Sequence, residues 1–171
     1  MFLSLFYEII FLMRIVKIPE KEVSRVVRSV SELERVSGVR VEREGSVFYI
    51  EGGGASEWNC EQVLKALGNG FSTKNAFKLF SDDYFADEID VESAVWRKEK
   101  ALGRVKGRII GGEGRAKEVI ERLTGVRMVV GDKKVFFIGR FDEVKNAKEA
   151  VLRLMEGVKH SQVYNYLKRL S

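Results

Sequence analysis

Three glycines within four positions, Gly111, Gly112 and Gly114, stand between Arg108 on one side and Arg115 and Lys117 on the other. Glycine lets a backbone take positive φ and lets a second backbone come close, and cations beside such a gap attract phosphate. The chemistry that suits Gly107-Arg108-Ile109-Ile110-Gly111-Gly112-Glu113-Gly114-Arg115-Ala116-Lys117 is therefore the holding of a phosphate backbone. It is not an NTP-binding P-loop: counted from Gly107 and Gly112, that motif needs lysine where Glu113 stands. One cysteine, Cys60, and one histidine, His160, exclude a disulfide framework and a Cys/His zinc site made within one chain. Cys60 reads as a small buried hydrophobe. His160 has neither a nucleophile nor a paired carboxylate near it in sequence and reads as a surface residue. A hydrolase needing neither would have to use Asp82, Asp83, Asp87 and Asp90, which a magnesium-dependent nuclease assay would settle. No catalytic residue, metal or cofactor is assigned.

The elements that must position the loop follow from hydrophobic spacing. Arg115 to Thr124 has apolar Ala116, Val119, Ile120 and Leu123 at helical spacing, and Gly125 stops it. Ala86 to Val91 predicts a strand and Glu92 to Val105 a helix leading into the loop. Val126–Val130 and Val135–Ile138 predict a hairpin around Gly131-Asp132-Lys133-Lys134, and Phe141 to Met155 a further helix. Lys159 to Ser171 predicts a last helix, capped by Ser161, that packs back on the body. From Arg97 to Lys117 eight basic residues, Arg104 and Lys106 among them, face two acidic ones, a local balance of +6. Such a run continuous with a glycine loop favours a nucleic-acid surface over a merely solvated helix.

An I-G-x-x-G loop between helices, then a hairpin and a long helix, resembles the KH domain of RNA-binding proteins over Asp87 to Gly157. In that family the loop clamps the backbone of about four single-stranded nucleotides and an apolar groove takes their bases.

The 171 residues, with 45% hydrophobic and 11% aromatic side chains, can bury one large core or two small ones. A net charge of +5 favours a polyanionic or acidic partner. The cysteine usage predicts a cytoplasmic protein, and 32% charged residues resemble a thermophile's composition. Met1 to Met13 is apolar but too short to span a membrane, carries Glu8, and lacks the basic region and cleavage site of a signal peptide. Met13 is the expected natural start, the preceding twelve residues being an over-extended gene boundary.

From Arg14 to Ile18 the sequence alternates like a strand. Pro19 breaks it, and Glu20–Val30 and Ser31–Ser37 read as two short helices ended by Gly38. Val39–Val41 and Val47–Ile50 make a hairpin, and Trp58 to Leu67 a helix. Glu34–Arg40 matches Glu121–Arg127 at a shift of 87, while Val47–Ile50 matches Val135–Ile138, and Glu61–Leu64 matches Glu149–Leu152, at a shift of 88. These ordered matches predict a duplicated domain. The shift of 87 sets Ser24-Arg25-Val26-Val27 opposite the glycine loop, so the first copy keeps a core and lacks the clamp. Phe71 to Phe80 reads as a short helix capped by Ser72, its aromatics, with Tyr84 and Phe85, packing between the domains.

Two KH-like copies, the second carrying G-R-I-I-G-x-x-G-R and a following helix, resemble the archaeal relatives of the Krr and Pno/Dim proteins over Arg14 to Ser171. The resemblance implies an α+β fold of two KH-like (β-α-α-β-β-α) domains, each a three-stranded antiparallel sheet covered by helices on one face. The expected division is 1–13 as an N-terminal extension, 14–70 as a degenerate KH-like domain without GxxG, 71–86 as a helical connector and 87–171 as a KH domain plus C-terminal helix. It further implies a monomeric RNA-binding factor of small-subunit ribosome maturation, holding single-stranded rRNA near its 3′ end. The implied protein partners are the Nob-type endonuclease and the α subunit of translation initiation factor two, with no membrane. Carried onto this sequence, the RNA-binding residues are Arg104, Lys106, Arg108, Ile109, Ile110, Gly111, Gly112, Glu113, Gly114, Arg115 and Lys117, with Val126, Met128 and Val130 as groove wall. Glu113 departs from the basic or neutral residue common in such loops; it either points outward or accepts a hydrogen bond from a base or 2′-hydroxyl, and limits affinity either way. The rival reading is a protein-interaction scaffold with incidental RNA affinity.

Overall fold

Val16 within one strand and Ile18 just after it, and Ile89 within another and Val91 just after it, are buried, and each pair starts its own core. The computed structural model describes residues 14–94 and 99–170; the apolar segment 1–13 and residues 95–98, with Arg97 and Lys98, lie outside the described residues. Two units divide after Phe80. The first runs β1 (Arg14–Lys17), α1 (Glu20–Ser37), β2 (Arg40–Glu44), β3 (Val47–Glu51), α2 (Gly54–Gly68) and α3 (Thr73–Ala76), which continues into a 3-10 turn at Phe77–Phe80. The second runs β4 (Phe85–Asp90), α4 (Val91–Ala94), α5 (Glu99–Ile110), a 3-10 turn at Gly112–Gly114, α6 (Arg115–Thr124), β5 (Arg127–Val130), β6 (Lys134–Gly139), α7 (Phe141–Met155) and α8 (His160–Lys168). Each unit has a three-stranded antiparallel sheet, in the orders β1-β3-β2 and β4-β6-β5. The fold is α+β and KH-like.

Three expectations need correction. Glu20–Ser37 is one continuous helix: the sequence holds no glycine before Gly38, so nothing interrupts the backbone ladder, and the first unit reads β-α-β-β-α. In the second unit α5 runs on past Val105 to Ile110, so Arg108, Ile109 and Ile110 are helical and the irregular loop is confined to Gly111–Gly114. At the last helix the cap position is Lys159, and Ser161 lies inside the first turn. The expected cap at Ser72 is present, its side chain accepting from the Asn75 N–H.

The two units share internal bonds at one spacing. Glu34 Oε1 accepts the Val41 N–H and Glu121 Oε1 the Met128 N–H, both at 2.8 Å, and every partner lies 87 positions from its counterpart. Ser37 and Thr124 donate their hydroxyls to Leu33 and Ile120 carbonyls, and Gly38 and Gly125 close the helices with φ of 71° and 85°. Buried Cys60, Val63, Leu64 and Leu67 of α2 match Ala147, Ala150, Val151 and Leu154 of α7 at the same 87. The shift of 88 between the hairpins is therefore one residue out. A one-residue slip would put Phe48, which is buried, on the pleat face of the half-exposed Phe136, whereas Val41↔Ile50 and Met128↔Phe137 pair at 87.

Ahead of the loop the spacing changes. Arg25 and Val26 of α1 correspond to Arg108 and Ile109 of α5, 83 apart: Val26 and Ile109 are both fully buried, and both arginines reach carbonyls at the end of the following long helix. Ser24-Arg25-Val26-Val27 thus faces Gly107-Arg108-Ile109-Ile110, not the glycine loop, and Gly111–Gly114 is a four-residue insertion with no counterpart in the first unit. Thr73–Phe80, expected as part of a connector, belongs to the first unit, where buried Ala76 matches buried Val163 of α8 at 87. Deleting Gly111–Gly114 should join α5 to α6 as in α1. The expected protein is folded, with unchanged or raised helicity by circular dichroism and a Tm within about 5 °C of the parent.

Candidate nucleic-acid interface

Chain reversal between α5 and α6 rests on backbone that side chains disfavour. Gly111 (φ 76°) and Gly114 (φ 80°) are left-handed, and so is Glu113 (φ 55°), the non-glycine residue with positive φ among the described residues. The three glycines differ in what fixes them. A Cβ on Gly111 would lie 2.7 Å from both the Ala116 nitrogen and its Cβ, so glycine there is demanded by packing of the loop against α6 as well as by φ. A Cβ on Gly114 would meet open space, leaving only conformation to require glycine, and Gly112 has neither constraint. No side chain caps α6 at Gly114, so the positive end of this ten-residue helix faces the loop.

Among the side chains assigned to RNA, Arg108 is also bonded within the protein. Its Nε donates to the Leu154 carbonyl at 2.9 Å and its Nη2 to the Val158 carbonyl at 2.7 Å, binding α5 to the end of α7. These bonds take two of its five N–H donors and give Arg108 a structural role beside the phosphate contact expected of it. Ile109, Val126 and Met128 are 0–1% exposed and sealed among Ile120, Phe137 and Val151, so they cannot form an open groove wall and support one from beneath. Ile110 and Val130 are half-buried. Lys106 Nζ donates to the Asp132 carbonyl at 3.2 Å, tying α5 to the β5–β6 turn. Arg104 and Lys117 have no ion-pair partner among the described residues, and Arg104 is exposed.

Glu113 points outward and pairs with Arg115 at 2.6 Å, the two side chains 79% and 77% exposed. At such exposure the pair stabilises the fold little, yet the Glu113 charge offsets that of Arg115 at the loop. His160 is not the bare surface residue expected: its Nε2 lies 2.8 Å from the Arg108 carbonyl, and since a carbonyl only accepts, Nε2 carries the proton. A cavity of about 420 Å³ opens where Gly111, Gly112 and Ala116 face His160 and Tyr164 of α8. Sequence spacing gave no signal for these two residues, because they lie more than forty positions from the loop and only packing brings them there. Cys60 is buried and free, and burial, followed by the nearby Glu34 charge, pushes its thiol up to about 12, which leaves it unreactive. Among the described residues no three His, Cys, Asp or Glu side chains gather as a metal site, and no helix is long and apolar enough to cross a membrane.

A β-α-α-β-β-α unit on an antiparallel sheet, with a GxxG turn between its paired helices, is a type I KH domain. The profile of the second KH domain of PNO1, described as eukaryotic type KH-domain (KH-domain type I), matches residues 86–171. A KH domain-containing protein of Methanocaldococcus jannaschii is 38% identical over 66% of this chain and 49% of its own length. The RNA-binding protein pno1 of Dictyostelium discoideum is 33% identical over 63% of this chain and 46% of its own. The chain spans about half the length of the curated relatives it matches. Among solved structures, the complex of a/eIF2alpha, aDim2p and rRNA from Pyrococcus horikoshii is similar at a TM-score of 0.83 and 28% identity, covering 92% of each chain. A protein of unknown function from Aeropyrum pernix is similar at a TM-score of 0.86 and 30% identity, covering 92% of this chain and 89% of that one. The chain belongs to the Pno/Dim family of KH-domain proteins.

Two sets of substitutions check the roles of these residues in thermal and urea unfolding. Arg108→Ala should destabilise the second unit by about 2–3 kcal/mol, since two carbonyls lose charged donors. Gly111→Ala should cost about 3 kcal/mol or more, Gly114→Ala about 1 kcal/mol, and Gly112→Ala less than about 0.5 kcal/mol.

Proposed function

We propose that this protein binds single-stranded RNA in small-subunit rRNA processing and ribosome assembly, with the Gly111–Gly114 turn holding the RNA backbone. The observation that carries the reading is the turn itself: two glycines and one glutamate in left-handed conformation at the uncapped start of α6. Backbone N–H groups at such a start receive phosphate oxygens without selecting a base. The likeness to an archaeal aDim2p seen with rRNA and a/eIF2alpha supports the same substrate, and the name pre-rRNA-processing protein borne by a PNO1 relative supports the same pathway. Gly112 and Gly114 admit the RNA backbone, Arg104, Arg115 and Lys117 meet phosphates, and half-buried Ile110 and Val130 face the bases. Gly111, Arg108, Ile109, Val126 and Met128 position that surface from within.

The first unit, on this reading, is the same KH fold without a clamp, acting as a structural or protein-binding module, and residues 71–86 carry its last helical turns and the passage to the second unit. The protein partners are the α subunit of translation initiation factor two and a Nob-type endonuclease, met by a monomer in the cytoplasm of an archaeal, thermophile-like source. The scaffold reading keeps one observation in its favour, the uninterrupted α1 of the first unit.

Gly112→Asp adds charge at the loop without disturbing packing or conformation. With a single-stranded RNA matching the small-subunit rRNA 3′ end, fluorescence anisotropy should record a loss of at least about tenfold. Unchanged affinity in a protein of unchanged Tm would transfer the function to the scaffold reading. Glu113→Gln frees Arg115, so affinity should rise about two- to fivefold and log Kd should depend more steeply on salt.

A further inference from the structure

The two units differ at the contact between their clamp-side helix and the helical segment that ends each unit. In the first unit Ser29 Oγ and Thr73 Oγ1 lie 2.8 Å apart, zipping α1 to the start of α3. The residues 87 positions on are Ala116 and His160, and neither is bonded to the other: both line the cavity of about 420 Å³ beside the glycine loop. What is closed in the unit without a clamp is open in the unit that has one.

We infer that this cavity is a nucleobase subsite, in which Tyr164 stacks one base of the RNA strand next to the nucleotides whose backbone the loop holds. The inference rests on the RNA reading above and adds a site on the α8 side of the turn. The wall formed by Gly111 and Gly112 carries no side chain, so a flat ring can approach the backbone there. The opposite wall is aromatic: His160 and Tyr164, four apart on α8, have ring centroids 6.0 Å apart with planes at 59°. Two rings inclined to each other, rather than stacked together, leave each free to take a flat base. The helix that carries both rings is anchored in the core by Val163 and Leu167, and the His160 ring is held by its Nε2 donation to the Arg108 carbonyl.

Size and charge agree with that occupant. A volume of about 420 Å³ lies within the roughly 300–1,000 Å³ range of small-ligand sites. The charged groups on its rim are Glu113 and Arg115, already paired with each other, so the cavity itself offers neutral surface to a neutral base. Burial holds the Tyr164 phenol above its ordinary value, which keeps it uncharged beside a polyanion.

The test compares oligouridylates of about four and about eight nucleotides by anisotropy, the longer also carrying a fluorescent aminopurine at each position in turn. The parent should bind the longer RNA about tenfold more tightly than the shorter and quench the aminopurine at one position. Tyr164→Ala should remove the gain and the quenching while leaving short-RNA affinity and Tm unchanged, and Tyr164→Phe should keep both. If Tyr164→Ala retains the gain and the quenching, the subsite is wrong and the clamp reading stands. If it lowers Tm and weakens the short RNA equally, Tyr164 is structural and the subsite is again wrong. A parent that binds neither RNA overturns the clamp reading and the subsite together.

Discussion

Arg108 joins three helix ends beside the loop. Its guanidinium satisfies Leu154 and Val158 at the end of α7, and its own carbonyl takes the His160 proton at the start of α8. The last carbonyls of a helix need donors from outside it, and an unmet buried one costs more than a met one contributes. The side chain ties α5 to the end of α7, and the backbone carbonyl of the same residue ties it to the start of α8. Arg25 makes the matching bonds to Leu67 and Gly70 in the first unit. A residue expected as a phosphate contact is thus also a fastening common to both units.

With Arg108 holding the frame, the turn can be strained. Glu113 occupies a conformation that branched and bulky side chains avoid, and Gly111 lies so close to Ala116 that any side chain would displace α6. The closeness of Gly111 keeps α6 against α5, and the openness around Gly112 and Gly114 leaves room for a partner. Glu113 also pairs with Arg115 across the turn, so the two charges at its rim are turned on each other.

The relation between the units explains why one has a binding turn and the other has none. Counterparts stand 73 positions apart at Val16 and Ile89, 83 at Val26 and Ile109, and 87 from Leu33 and Ile120 onward. The second unit has therefore gained a segment between strand and helix and four residues within the helix, while hairpin, core and caps are unchanged. An insertion is tolerated there because a helix broken at the surface can be fastened again on each side of the break, by Arg108 before it and by Ala116 and Ile120 after it.

Patterns local to the chain were legible without a structure. Helical spacing and a glycine stop gave α6 its two ends, alternation gave the hairpins, and G-x-x-G between helices gave the KH class, since each depends on residues within a few positions of one another. After the loop the offset between the copies was legible to within one residue, and the pleat decided that last residue, because only pairing across the sheet tells which face a side chain takes. Tertiary structure alone decided that Val126 and Met128 face inward, that Arg108 is bonded to the Leu154 and Val158 carbonyls, and that His160 and Tyr164 stand beside the glycines. Those facts depend on contacts between segments distant in sequence, where neither period nor composition carries information and only the packing of helices against a common core sets the distance.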